Sequence, residues 1–597
     1  MSLIAELQRR SVFKVGAAYL VVAWLVIQAA SIMFPTFEAP GWALRVFIFV
    51  TMLGFPLALT LAWIFDISPQ GIVQVDAGRA GAWRFYAAVG AIAALSAGWY
   101  WFGQPAVREV APDMRSIAVL PFANMSGDAA NEYFSDGISE EILNQLAKQR
   151  ELRVAARTSS FSFKGQNTEI TEIAKVLKVR LVLEGSVRKQ GERVRVTAQL
   201  IDAQEGFHLW SETYDRDLKD IFAIQDEIAK AIAKALQLTL AAPASADPTA
   251  ADAEGHGIDV EAYDLYLRAL GLLPRRDYRE IRQAIALLER SVERAPTFAR
   301  GQAQFAIALN LNALYDPNAP VRALRERASD AAQRAIALDP TLAEGYGALG
   351  LVATNTGRDA TALLLHDRAI ALNPSFAQAH TWRALSLRGA GRWEESERES
   401  RIALDLDPRS LNIYSNLFWH MAAEGRHAES RALAERKLAL DPESPSTLLE
   451  LALLDLIERR NADAHGRLLK TIRDDPLARQ LVDDVFEALE GRTPKGPVVA
   501  AVSARASKLF RPETNPYSVV NAAPVILLAL GARDAALAAV ERFAAEVGSE
   551  ESLRLRGILR IALVSAAVGD LRCEPRFQAA ISKVGAVDGL AKTMCTG

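Results

Sequence analysis

At 597 residues the chain is longer than one hydrophobic core serves, so several domains are expected. A net charge of -3 and a pI near 6.3 leave no basic footprint for a phosphate backbone, which excludes nucleic acid as a partner. Half of the residues are hydrophobic and the mean hydropathy is +0.07, with the apolar excess near the amino terminus, which points to membrane segments.

Three apolar runs, residues 15–34, 46–65 and 85–102, each have the length that crosses roughly 30 Å of hydrocarbon at about 1.5 Å per residue. Phe34-Pro35 closes a full-length run and a second run follows, unlike the short apolar region of a cleaved signal peptide. Arg9, Arg10 and Lys14 flank the first run and Arg79 and Arg84 separate the second from the third, whereas the loop FPTFEAPGW carries only Glu38. The positive-inside bias then predicts a cytoplasmic amino terminus and periplasmic soluble domains. Residues 1–103 are therefore expected to form an α-helical transmembrane module of three spans in a lipid bilayer, with residues 104–114 as a tether.

SIAVLPF reads as a buried strand that breaks into the polar loop ANMSGD, and NEYFSDGISEEILNQLAKQ follows with one apolar helical face. LRVAAR is a short strand and TEITEIAKVLK a helix. RLVLEGSVRKQ, ERVRVTAQLIDA and GFHLWSETYDRD alternate as strands, with Gln190-Gly191 and Glu205-Gly206 at the hairpin turns. DLKDIFAIQDEIAKAIAKALQ closes residues 115–240 as an amphipathic helix, giving an α/β domain with a mixed sheet. Asp128, Glu132, Asp136, Glu140 and Glu141 have no cation-loop spacing and read as a solvated acidic face, and His208 reads as a packed or surface residue.

Two stretches carry a family resemblance. ELQRRSVFKVGAAYLVVAWLVIQ with FPLALTLAWIFDISPQGI resembles the membrane module of bacterial proteins that join a TolB-like domain to tetratricopeptide repeats. IAVLPFANMSGDAANEYFSDGISEEILNQLAK, LRVAARTSSFSFKG, LVLEGSVRKQGERVRVTAQLIDA and HLWSETYDR together resemble the TolB amino-terminal-like, or FlgO-like, domain. The resemblance implies a bacterial inner-membrane protein with a non-catalytic periplasmic binding domain. Relatives of this arrangement can carry a nucleotide cyclase or a winged-helix module at the amino terminus; the 14 residues ahead of the first run lead us to expect neither.

Residues 241–257, rich in Ala, Pro and Asp, read as a linker. Beyond it, Asp339-Pro340, Asn373-Pro374, Asp407-Pro408, Asp441-Pro442 and Asp475-Pro476 recur at the tetratricopeptide period, and Gly357-Arg358, Gly391-Arg392 and Gly425-Arg426 keep the same register at the turns. Residues 258–478 are expected to form an all-α tetratricopeptide superhelix, and residues 479–597 degenerate helical repeats with a carboxyl-terminal cap. GYGALG, residues 345–350, has the spacing of a dinucleotide loop. DPTLAE before it is a helix start and not a strand, so it belongs to the first helix of a repeat, with Tyr346 at the large packing position and Gly350 at the small one. Gly345 and Gly347 are expected to cost that helix roughly 1 kcal/mol each and to loosen its contact with its partner.

Likeness to the repeat family implies a concave binding groove at Gln378, Thr381, Leu385 and Arg388 of one repeat and Asn412, Ser415 and Trp419 of the next. Trp419 is read equally as a ligand contact or as packing between repeats. His420 and His427 flank a Gly turn and are not expected to bind a metal. Cys573 and Cys595 are the candidate disulfide, which an oxidising periplasm would allow, and two free thiols are the alternative for a cytoplasmic domain.

No G-x-x-x-x-G-K-[ST], nucleophile elbow, HExxH or paired-Cys pattern occurs, so no cofactor, metal or catalytic residue is expected. The expected function is a membrane-anchored, non-catalytic periplasmic scaffold or sensor that binds proteins or peptides, with self-association left open. The alternative is a transmembrane receptor coupled to a cytoplasmic effector, and a nucleotide-dependent enzyme is the distant third.

Overall fold

The computed structural model describes residues 12–36, 65–68, 71–74, 115–128, 131–217, 221–235, 259–505, 516–545 and 573–583, except 317, 473 and 474, together with isolated positions near residue 50 and residue 571. The chain divides into two compact units, Met1–Val110 and Ala111–Gly597.

In the first unit the first apolar run forms helix α1 (Val12–Thr36), and strands β1 (Phe65–Ser68) and β2 (Gly71–Gln74) pair as a hairpin. Among the described residues no helix is long and apolar enough to cross a membrane. That finding corrects the expected three-span module and the inner-membrane location with periplasmic domains, and it leaves the lipid-bilayer partner without support. Only scattered positions of the second run are described, its last residue, Phe65, being already the start of β1, and the third run, residues 85–102, lies outside the described residues.

The second unit begins with a sheet built from β3 (Ser116–Val119), β4 (Ala123–Asn124), β5 (Arg153–Val154), β6 (Leu181–Gln190), β7 (Arg193–Asp202) and β8 (Phe207–Asp217). The order is β5-β3-β6-β7-β8, with β4 also on β6; β3 is parallel to β5 and β6, and β6, β7 and β8 are antiparallel neighbours. Alternation along β3 divides its side chains between two faces. Ile117 and Val119 face the core under α2 (Glu132–Ala147) and α5 (Ile221–Ala235), while Ala118 and Leu120 face α4 (Ile170–Leu177). Each fully buried Ile or Leu there contributes about 1.5–3 kcal/mol. Along β7 the alternation is half wet: Val194, Val196, Ala198 and Leu200 are buried, whereas Arg193 and Arg195 are exposed and meet Asp215 of β8. A short helix, α3 (Arg157–Phe161), begins where the strand reading LRVAAR ends.

From residue 260 the fold is all α. Helices α6 (Val260–Leu272), α7 (Tyr278–Arg294), α8 (Ala299–Tyr315) and α9 (Val321–Leu338) lead into four regular pairs. These are α10 (Ala343–Asn355) with α11 (Asp359–Leu372), α12 (Ala377–Gly389) with α13 (Trp393–Leu406), α14 (Leu411–Ala423) with α15 (His427–Leu440), and α16 (Pro445–Ile457) with α17 (Asn461–Thr471). First helices start at 343, 377, 411 and 445 and second helices at 359, 393, 427 and 461, so both series step by 34 residues. This is a tetratricopeptide superhelix on its own geometry. Helices α18 (Pro476–Leu489), α19 (Lys495–Arg505), α20 (Pro516–Ala529), α21 (Arg533–Ala545) and α22 (Pro575–Lys583) extend it.

Gly357, Gly391 and Gly425 turn between paired helices at φ near +75°, a region that only glycine enters without strain. In the fourth pair Arg459 takes that conformation at φ 61°, so the repeat that lacks the glycine closes with the same turn.

The glycines of GYGALG do the opposite of loosening. A Cβ on Gly350 would lie 2.5 Å from His366 Cε1, one on Gly347 2.9 Å from Phe376, and one on Gly345 3.1 Å from Ile336. His366 is buried, pushed down to about 3 by burial, and its Nε2 is 3.0 Å from Thr354 Oγ1, so it cannot yield. Gly350→Ala is expected to destabilise the chain by about 1–3 kcal/mol through overpacking, whereas Gly466→Ala in α17, where a Cβ meets open space, should stabilise by about 0.5–1 kcal/mol. Urea midpoints of the two variants check this; a gain for both would refute the close approach at Gly350.

Candidate functional site

Helix α2 is buried on two sides. Its apolar face, with Phe134, Ile138, Ile142 and Leu146, lies in the sheet core, and its other side meets the helical array. Gly137 permits that meeting, because a Cβ there would lie 2.4 Å from Leu267 of α6. Around it, Tyr133 hydrogen-bonds Asp264, with Arg268 stacked 4.7 Å from the Tyr133 ring. Glu141, fully buried, pairs with Arg300 of α8 and accepts from the Tyr266 hydroxyl at 3.3 Å.

The α/β domain touches the array a second time, at the turns that open α12 and α14. Val154 N–H donates to Ser375 Oγ at 3.1 Å, and Ala156 N–H donates to the Leu406 carbonyl at 2.8 Å. Ser159 Oγ donates to Asp407 at 2.5 Å and accepts from Arg409 N–H at 2.8 Å. Lys178 meets Asp405 at 2.6 Å.

Between these two attachments lies a cleft of about 660 Å³. One wall is the carboxyl-terminal part of α2 with the segment entering α3, including Glu140, Asn144 and Arg157; the other is built from α8, α12 and α14 and the start of α16. Its surface is mixed, with apolar side chains such as Leu270, Ile307, Leu311 and Trp382 beside hydroxyls, amides and charges. Burial pushes the Glu140 carboxyl up to about 7 against the opposing pull of Arg157 at 2.6 Å. Burial likewise pushes Asp407 up to about 6, against hydrogen bonds from Ser159 and Thr158.

Of the seven groove residues expected from sequence, Gln378, Thr381, Asn412 and Ser415 line this cleft. Leu385, Arg388 and Trp419 do not. Arg388 donates to the Asn416 carbonyl at 3.2 Å and Trp419 packs edge-on to Phe418, while of the four that line the cleft Thr381 and Ser415 are buried, their hydroxyls bonded to the Ala377 carbonyl and to Lys437. The stripe is continuous along each helix, but only its first turns reach the cleft, and Arg388 farther along turns to the next repeat. Sequence reasoning missed the whole opposite wall, since Glu140, Arg157 and Thr158 belong to a domain more than 200 residues away from Asn373 and Asp407. The acidic face of that domain is not simply solvated. Glu132 and Asp136 pair with Lys164, Glu140 with Arg157 and Glu141 with Arg300.

Among the described residues, Glu397, His420 and Glu424 bring possible metal ligands within 4.8 Å of one another. Arg426 already lies 2.9 Å and 2.8 Å from the two carboxylates and Arg401 2.5 Å from Glu397, so the negative charge a cation would need is neutralised. His208 is exposed, and His420 is buried against Trp393. Cys573 is disulfide-bonded; the chain's other cysteine, Cys595, lies outside the described residues.

Residues 113–231 match a family described as "HilA/YgeH-like transcriptional regulator, second domain". A protein of Rhizobium meliloti (strain 1021) named "Putative adenylate cyclase 3" is 40% identical over 240 residues, which is 40% of this chain and 40% of that protein's length. Among solved structures, yeast Tom70 has a TM-score of 0.32 at 14% identity, covering 96% of this chain and 99% of its own. A tetratricopeptide repeat protein from Parabacteroides merdae has a TM-score of 0.29 at 12% identity, covering 51% and 100%. TM-scores this low carry no argument, and the repeat architecture rests on the 34-residue helix pairs themselves.

Because Asp407 in the folded chain is held above its ordinary value of 3.8, its neutral form is the better accommodated one. The burial cost is absent below about pH 4 and complete above about pH 6, so this group's contribution to stability falls as pH rises through that window. Asp407→Asn removes the titration and keeps an acceptor for Ser159. The unfolding midpoint of the Asn variant is expected to gain on the parent between those pH values, by on the order of 2–3 kcal/mol. A difference that does not change with pH would show that the carboxyl is not buried as described.

Proposed function

We propose that the chain is a non-catalytic protein-binding scaffold whose cleft takes an extended peptide segment between the α/β domain and the first helices of the repeats. The observation that carries this reading is the composite cleft: Gln378, Thr381, Asn412 and Ser415 of two successive repeats face Glu140, Asn144 and Arg157 across about 660 Å³. A volume of that size holds a short peptide stretch, and side-chain amides and hydroxyls are the groups that hydrogen-bond a backbone without demanding one sequence. On this reading the α/β domain, whose wording resembles the TolB amino-terminal-like domain, is the fixed wall of the site rather than an independent enzyme.

The matched family is described from transcriptional regulators, in line with a domain that binds rather than reacts. The relative named for adenylate cyclase matches over 40% of its length, too small a share to carry that activity across. The chain also has no G-x-x-x-x-G-K-[ST] loop.

The test is selection of a random displayed-peptide library on the full chain, followed by anisotropy titration of the selected peptides. Saturable binding is expected, weakened about tenfold or more by Asn412→Arg, which fills the cleft, and less by Gln378→Ala. No selected peptide, or peptides indifferent to both changes, would overturn the proposal.

A further inference from the structure

Five basic side chains border the cleft: Arg157, Arg276, Arg300, Arg409 and Lys437. Three are neutralised within the fold, Arg157 by Glu140 at 2.6 Å, Arg300 by Glu141 and Lys437 by Glu450 at 3.0 Å. Arg276 and Arg409 have no carboxylate partner among the described residues. Each guanidinium lies near an aromatic ring instead, Arg276 6.0 Å from Tyr315 and Arg409 5.0 Å from Phe163. The acids of the walls are largely engaged: Asp407 accepts from Ser159, Asp277 caps α7 through Arg279 and Glu280 N–H, and Glu140 holds Arg157. Asp441 and Glu344 remain, and burial pushes the Glu344 carboxyl toward its neutral form. Carboxylates remain in the lining, but none of those described lies within ion-pair distance of Arg276 or Arg409.

Arg409 is the better organised of the two free cations. Its backbone N–H is anchored to Ser159 Oγ at 2.8 Å, its guanidinium plane rests against Phe163 of the opposite domain, and its Nε is buried without a hydrogen-bond partner. A planar guanidinium held by stacking is preorganised for two parallel hydrogen bonds to a carboxylate. It stands beside Asn412 and Ser415 on the same wall.

We infer that the peptide in the cleft presents a carboxylate to Arg409, either from an acidic side chain or from its own carboxyl terminus. This deepens the peptide-binding reading above and rests on it. Arg409 supplies the charge that selects the ligand, and the amides of Gln378 and Asn412 hold the adjoining backbone.

The experiment takes the peptides selected on the full chain and remakes each in two forms, one with its acidic side chains changed to Asn or Gln and one with an amidated carboxyl terminus. One of the two is expected to bind about tenfold or more weakly, which also says which carboxylate is used. Arg409→Gln should weaken the parent peptide by a similar factor and abolish the difference between parent and neutralised forms. Arg409→Lys should restore part of it, and Arg276→Gln should leave it intact. Thermal midpoints of the variants establish that each is folded. Selected peptides whose binding ignores both neutralised forms, or a carboxylate dependence that survives Arg409→Gln or moves to Arg276, would overturn this inference. If Asn412→Arg still weakens those peptides, the peptide-binding reading stands without it.

Discussion

The second unit depends on one helix having two buried sides. Helix α2 must satisfy the sheet with its isoleucines and leucines and, a few ångströms away, admit α6 across Gly137. The fully buried carboxylate of Glu141 is tolerable only because Arg300 and Tyr266 reach it from α8 and α6. Removing Arg300 would leave a charge in a nonpolar setting, which costs several kcal/mol. The consequence is a single hydrophobic core that runs from the sheet strands into the first repeats. Two modules that a reader of the chain would separate at the linker are therefore continuous, and the cleft exists because this junction and the one at Ser375 and Asp407 hold the walls apart at a fixed distance.

How much of this was legible in the sequence follows from how local each signal is. The 34-residue beat of the Asp-Pro pairs and the Gly-Arg turns is repeated chemistry, and the helix starts at 343, 377, 411 and 445 keep it without drift. The groove positions followed from likeness to the repeat family, which does not say where along the helix they stop facing the cleft; Arg388 turns instead to the Asn416 carbonyl of the next repeat. The opposite wall was not readable at all. Ser159 and Asp407 are 248 residues apart, and each by itself is an ordinary polar residue in a turn. The apolar runs near the amino terminus gave a membrane reading because hydropathy counts residues, whereas among the described residues no helix is long and apolar enough to cross a membrane.

The glycines of GYGALG carry a related lesson. A glycine-rich stretch in a helix suggests weakness if only backbone entropy is weighed, yet each of these glycines is a place where a neighbouring ring or methylene has moved in. Propensity and packing act in opposite directions there, and packing dominates because a displaced Trp382 or His366 has nowhere to go. At Arg459 the balance runs the other way, since the turn geometry common to the repeats is kept even where the residue is poorly suited to it.

Repeat arrays are usually indifferent to their own length, since each unit touches only its neighbours and one more or one fewer leaves the rest in register. Here the array is clasped by the same domain at two points along its axis, α6 and α8 at one and the turns around Ser375 and Asp407 at the other. The stretch between them is thereby a span of fixed length, and the α/β domain acts as a gauge that accepts one number of intervening helix pairs and no other. Lineages that add or delete repeats would be free to do so beyond Arg409, but not before it.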